Sequence, residues 1–180
     1  MRFSVSAVFV LASLVASSLA TTVADVQADI ALISSRLSTL DKSIAAFTLP
    51  GGTLAQALAV HNNAVSLGTA IDKGTTDTKA VTPTPLADAD GRAILDAFES
   101  LEPTINSALN GIIARKAAFT ALPIGGIPAL VKQDLANLSG STAALEAALI
   151  SSTPEGLVDE ATALKTRIDS AFAVAIAAYA

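Results

Sequence analysis

Residues 23–47 read VADVQADIALISSRLSTLDKSIAAF and place Val23, Val26, Ile30, Ile33, Leu37, Leu40, Ile44 and Phe47 at alternating steps of three and four. That spacing puts all of these side chains on one face of an α-helix. Polar and small residues fill the positions between them, so the stretch predicts one long amphipathic helix whose apolar face needs a partner. Thr22 and Asp25 have the spacing of a capping box at its start. Leu49-Pro50-Gly51-Gly52 ends it near Phe47, because the residue before a proline disfavours helix and glycine accepts the turn.

Further helices follow on both sides of a proline-rich middle. Thr53 suits the N-cap of a second helix with the face Leu54, Leu58, His61, Val65, Gly68, Ile71, stopping near Gly74. Residues 75–85, polar and carrying Pro83 and Pro85, read as the longest connection. Asp88 and Asp90 favour a helix start, where carboxylates complement the helix dipole. That third helix carries Ile94, Leu95, Phe98 and Leu101, then Ile105, Leu109, Ile112 and Phe119 beyond Pro103. Pro103 removes a backbone donor and is predicted to kink or split it. Pro128 opens a fourth helix with the stripe Val131, Leu135, Leu138, Thr142, Leu145, Leu149. Ser152-Thr153-Pro154-Glu155 is read as a capping box with an early proline. A fifth helix then carries Leu157, Ala161, Leu164, Ile168, Phe172, Ala175 and Tyr179. No stretch alternates as a strand would. The expectation is an all-α bundle of about five long amphipathic helices.

The chain also repeats itself. Ala45-Ala46-Phe47-Thr48 recurs 72 residues on as Ala117-Ala118-Phe119-Thr120, and each copy runs into Leu-Pro and Gly-Gly. Ile33 and Leu37 likewise match Ile105 and Leu109. The second-helix stripe can be laid on the fourth, Leu54 over Val131, Leu58 over Leu135 and His61 over Leu138. Two related helical hairpins are the economical reading.

Composition bounds the function. Met1-Arg2, the apolar run Phe3–Val15 and the small residues around Ala20 read as a secretory signal spanning 1–20. The mature part, 21–180, then forms a single domain. It has no cysteine, so its core holds without disulfides. The chain carries 16 acidic and 11 basic residues, and one basic residue, Arg2, leaves with the signal. An acidic chain without a basic run argues against nucleic acid and anionic membrane surfaces, and no transmembrane segment is expected. Asn137-Leu138-Ser139 is a glycosylation sequon, which makes Asn137 the candidate acceptor. Phe172–Ala180 has no polar spacer before it, which argues against a lipid-anchor signal and for free secretion.

Catalytic sets are hard to assemble. His61 is the single histidine. Without cysteine or a second histidine it cannot complete a usual zinc site, and no nucleophile elbow accompanies it. It reads as a polar residue at a helix interface, or as a contact for a ligand's head group. Asp88-Ala89-Asp90-Gly91 lacks the ligand spacing of a calcium loop. Asp159 and Glu160 are adjacent and diverge on a helix. The Gly-Gly turns lack a phosphate-loop lysine. No enzyme activity and no cofactor are expected.

Apolar helix surface remains. Small residues between widely spaced leucines and phenylalanines let helices approach closely, and an uneven mixture leaves room for a channel. The candidate ligand wall is Leu37, Leu40, Ile44 and Phe47 on the first helix, and Leu58 and Val65 on the second. Phe98, Ile105 and Leu109 join them from the third, Leu138 from the fourth, and Ile168 and Phe172 from the fifth. His61 is the candidate head-group contact. The expected partner is an apolar ligand. The alternative is a glycosylated structural protein with a ligand-free core.

The order of these features resembles a known group. A signal precedes a cysteine-free, alanine-rich helical domain, Leu49-Pro50-Gly51-Gly52 breaks it after the first helix, and Leu101-Glu102-Pro103 through Lys116-Ala117-Ala118-Phe119 looks like the group's central motif. The mature chain is similar to the hydrophobic surface binding protein A family of filamentous fungi, which includes cell wall galactomannoproteins. That resemblance implies a secreted or wall-associated non-enzyme that coats hydrophobic solids, helps recruit a secreted esterase, or encloses fatty acids in a helical bundle.

Overall fold

The computed structural model describes residues 21–180; the segment read as a secretory signal lies outside them. Among the described residues there are seven α-helices, one 3₁₀ turn and no strand. They are α1 Val23–Ala45, α2 Leu54–Ala80, α3 Asp88–Glu99, α4 Glu102–Ala114, α5 Lys116–Thr120, α6 Ile127–Ser152 and α7 Val158–Ala178, with the 3₁₀ turn at Glu155–Leu157. α3, α4 and α5 are one rod broken twice, which accounts for the five long helices expected. The first break falls where Pro103 enters the opening turn of α4.

Local chemistry sets most boundaries. Thr22 and Asp25 form the expected capping box on α1, and Thr53 with Gln56 forms another on α2. α2 runs six residues beyond Gly74. Gly74 is not a helix stop but a contact point: a side chain there would press on Ile33 and touch Asp29 and Leu145. Beyond it Thr75 and Thr78 face the interior, and the Thr75 hydroxyl donates to the Ile71 carbonyl. Residues 75–80 are therefore helical, and the connection begins at Val81. Ser152 and Thr153 also differ from expectation. Both hydroxyls donate back to the Leu149 carbonyl and close the end of α6, so no capping box precedes α7.

The helices close into a ring. α1 packs on α2, α2 on α6, α6 on α7, α7 on α4, and α4 on α1. α2 and α6 run parallel, with His61 beside Asp134, Gly68 beside Leu138 and Gly74 beside Leu145. α1 and α4 also run parallel: the Ser107 hydroxyl donates to Asp41, and Arg115 donates to the Phe47 and Ala45 carbonyls. The two hairpins thus lie side by side, and repeat counterparts meet. Phe47 and Phe119 stack with centroids 4.1 Å apart, and Ile33 and Ile105 face the same interior.

Ring closure has a geometric consequence. With axes about 9 Å apart, a regular ring of five puts each axis about 8 Å from the centre. A helix with its side chains has a radius of roughly 5 Å. Four helices close over their core more easily; five leave a central space that only large side chains would fill.

Candidate functional site: a central apolar cavity

A cavity occupies that space. Its walls come from α1 (Ile33, Leu37, Leu40, Ile44), α2 (Val60, Ala64, Leu67, Ile71), the α3–α4 rod (Phe98, Leu101, Ile105, Ala108, Leu109, Ile112), α6 from Val131 to Leu145, and Phe172 of α7. The volume is about 790 Å³ when the space open to solvent is included, and only a small part of it is wide enough for water. It is therefore long and narrow. The α6 wall alone spans about 21 Å at 1.5 Å per residue. Among the described residues, Asp134 and Thr142 are the only polar ones in the lining.

One end is sealed. Phe47 and Phe119 stack beyond Ile44 and Ile112, and a side chain at Gly52 would collide with the Phe47 ring. The Tyr179 hydroxyl donates to the Ile112 carbonyl at 2.8 Å, and burial pushes that phenol's pKa upward. Arg115 ties the Phe47, Ala45 and Gly111 carbonyls together.

Polar groups sit at two other places. At the α2–α6 seam, His61 Nδ1 lies 2.9 Å from the Asp134 carboxylate. Burial raises the Asp134 pKa, and the His61 hydrogen bond pulls it the other way. Ala64, Asp134 and Leu138 line both the cavity and a groove on the outer surface that also holds Val65, Gly68 and Asn137. Small side chains make this seam a thin wall between cavity and solvent.

Toward the opposite end from the aromatic stack, Glu146 is 2% exposed. Its Oε2 accepts from Lys165 Nζ at 3.2 Å, and that ammonium also donates to Asp169 at 2.6 Å. Its Oε1 has no partner among the described residues. Burial raises the Glu146 pKa to about 7, with Lys165 opposing and the Asp169 charge adding to the rise. A similar set lies between α1 and α2, where Lys73 bridges buried Asp29 and Asp77; burial raises the Asp29 pKa too.

The expected wall residues divide cleanly. Leu37, Leu40, Ile44, Phe98, Ile105, Leu109, Leu138 and Phe172 line the cavity. Phe47 and Ile168 are buried but outside its lining, Phe47 in the aromatic stack. Leu58 and Val65 are 44% and 53% exposed, which corrects their placement on the inner face. The inner face of α2 is Ala57, Val60, Ala64, Leu67, Ala70, Ile71 and Gly74, one position or about 100° round from the leucine-led stripe. α2 is pressed between α1 and α6, so alanine and glycine fit inward and the larger side chains turn out. Val60, Ala64, Leu67 and Ile71, rather than the leucine-led stripe, line the cavity together with Val131, Leu135, Leu138 and Thr142. His61 is half-buried and reaches the cavity only through Asp134. Asn137 is exposed on α6, its side-chain carbonyl accepting from Gln133. Glu146 and Asp134 were missed. Their available signal was an acidic residue beside an apolar helical stripe.

Among the described residues no helix is long and apolar enough to cross a membrane. The family model for hydrophobic surface binding protein A matches residues 23–151. Of solved structures, AFMP4P in complex with palmitic acid is 32% identical, covering 88% of this chain and 99% of that one, with a TM-score of 0.81. Ligand binding domain 1 of the Penicillium marneffei MP1 protein, complexed with arachidonic acids, is 18% identical, with coverage of 88% and 99% and a TM-score of 0.77. Domain 2 of the same protein, complexed with multiple arachidonic acids, is 18% identical over 87% and 93% of the chains, with a TM-score of 0.69. No curated protein sequence matches.

Proposed function

The chain belongs to the hydrophobic surface binding protein A family, and on that footing we propose that it is a secreted, non-catalytic carrier of long acyl chains. The observation that carries this reading is the narrow apolar cavity running along the ring's interior. The 32%-identical neighbour in complex with palmitic acid supports it. Burying a methylene contributes ~0.8 kcal/mol, so a long acyl chain offers on the order of 10 kcal/mol before association costs. That is sufficient for micromolar binding without a dominant polar contact. The narrowness implies that side chains move aside as the chain enters, and the small residues of the α2–α6 seam make that movement cheapest there.

Filling the cavity tests the reading. Ala108→Phe puts a ring into the lining and is expected to weaken hexadecanoic acid binding at least tenfold, measured by titration calorimetry, with helicity unchanged by circular dichroism. Equal affinity in the filled variant would sink the cavity as the site.

Attachment to a hydrophobic solid is the second reading. Leu49 and Ile124 favour it, because both are exposed in the matching turns that follow Phe47 and Phe119. Leu49→Ser with Ile124→Ser is expected to reduce adsorption to a polymer surface while leaving acyl binding intact. Adsorption equal to the parent protein's would remove the turns from the account.

A further inference from the structure

Glu146 has chemistry that the apolar cavity does not use. It lies four residues, about 6 Å of helix, beyond Thr142, and Thr142 lines the cavity. Glu146 itself lines a second, smaller space of about 300 Å³, open space included, with Ile94, Leu95, Leu149, Ala161 and Leu164. Phe98 lines both spaces. So a buried carboxyl with an unpartnered oxygen shares a lining with Phe98, toward the end of the cavity away from the Phe47–Phe119 stack. An unpaired buried oxygen bears an uncompensated desolvation cost, which a partner brought by a ligand would relieve.

The facing groups decide which partner. α7 presents Lys165 and Asp169. α3 presents only Ile94, Leu95 and Phe98 to this space, and α6 adds Leu149 and Ile150. No other titratable side chain lines it among the described residues. Lys165 and Asp169 largely cancel, and burial keeps the Glu146 carboxyl protonated up to about pH 7, where it can donate one hydrogen bond. The twin set around Asp29 has the same lysine bridge but lines neither space.

We propose that Glu146 holds the polar head of the acyl ligand: a fatty acid in the cavity passes the Phe98 ring, and its carboxylate accepts a hydrogen bond from the protonated Glu146 carboxyl. This rests on the acyl-binding reading above. Two carboxyls in contact share one proton, as in paired-carboxylate sites generally. Binding to the ionised form therefore takes one proton from solution. A fatty alcohol needs no such proton, since its hydroxyl donates to either form of Glu146.

Equilibrium binding of radiolabelled hexadecanoic acid and hexadecanol across pH tests it. In the parent protein the acid's dissociation constant should rise about tenfold per pH unit above about pH 7 relative to the alcohol's. Glu146→Gln should bind the acid with no such slope, because its amide donates at every pH. Taking the ratio of variant to parent at each pH removes the ligand's own titration. Lys165→Met should move the break in the parent's profile to higher pH, which a purely structural role for Glu146 would not do. An identical slope in parent and Glu146→Gln, or no slope in the parent, would overturn the head-group assignment and leave Oε1 to a trapped water. Failure of both ligands to bind the parent at any pH would instead overturn acyl binding itself.

Discussion

Ile44 and Phe47 stand less than one turn apart on the same apolar stripe, yet they belong to different parts of the molecule. Ile44 lines the central cavity, and Phe47 is locked in a stack with Phe119. Sequence treats both as one wall. The difference lies in what faces them. Phe47 meets its own repeat counterpart, with Gly52 beneath the ring, whereas Ile44 looks across a five-helix ring too wide to close. The same periodic stripe thus builds a dry plug at one end and a channel wall along the middle.

Truncating the plug should have the largest effect. Phe47→Ala or Phe119→Ala is expected to lose about 3–5 kcal/mol of stability in urea titrations. The double variant should lose less than the sum, because the stacked pair is coupled by roughly 0.5–1.5 kcal/mol. Leu109→Ala, on the channel wall, should cost about 2 kcal/mol, since it already borders open space and forfeits fewer contacts. Equal costs at Phe47 and Leu109 would erase the distinction between plug and channel.

The buried carboxylates should come next. Glu146 is raised from an ordinary value of 4.5 to about 7. The folded state therefore binds a proton more tightly than the unfolded state. Its stabilising contribution is complete below the unfolded value and is lost as pH rises through about 7. The loss is on the order of 3 kcal/mol between about pH 4 and about pH 8. Glu146→Gln should flatten that part of the profile of melting temperature against pH. A stability maximum above pH 8 in the parent protein would contradict it.

The smallest effect belongs to the outward face of α2. Leu58→Ser and Val65→Ser should each change stability by no more than about 0.5 kcal/mol. A loss of about 2 kcal/mol at either position would put them back on the inner face.

These contrasts also mark what the sequence could disclose. α1 was legible because large apolar residues keep its period and Thr22, Asp25 and the Leu-Pro-Gly-Gly turn punctuate it. The break at Pro103 was legible because proline acts through the backbone. α2 was misread because its inward face is built from Ala57, Ala64 and Ala70, whose burial follows from how closely α1 and α6 approach and not from their own hydrophobicity. Gly74 misled for the same reason: a close contact and a helix stop look alike in one dimension. The cavity depends on the number of helices in the ring, a tertiary property. Glu146 and Asp134 became visible only when burial and partners were known.

Native mass spectrometry of the purified protein, before and after organic extraction, tests acyl carriage most directly. The expected result is a mass that extraction removes, equal to that of a long-chain fatty acid, and that returns when hexadecanoic acid is added. A single mass unchanged by extraction and by added acid would contradict the account.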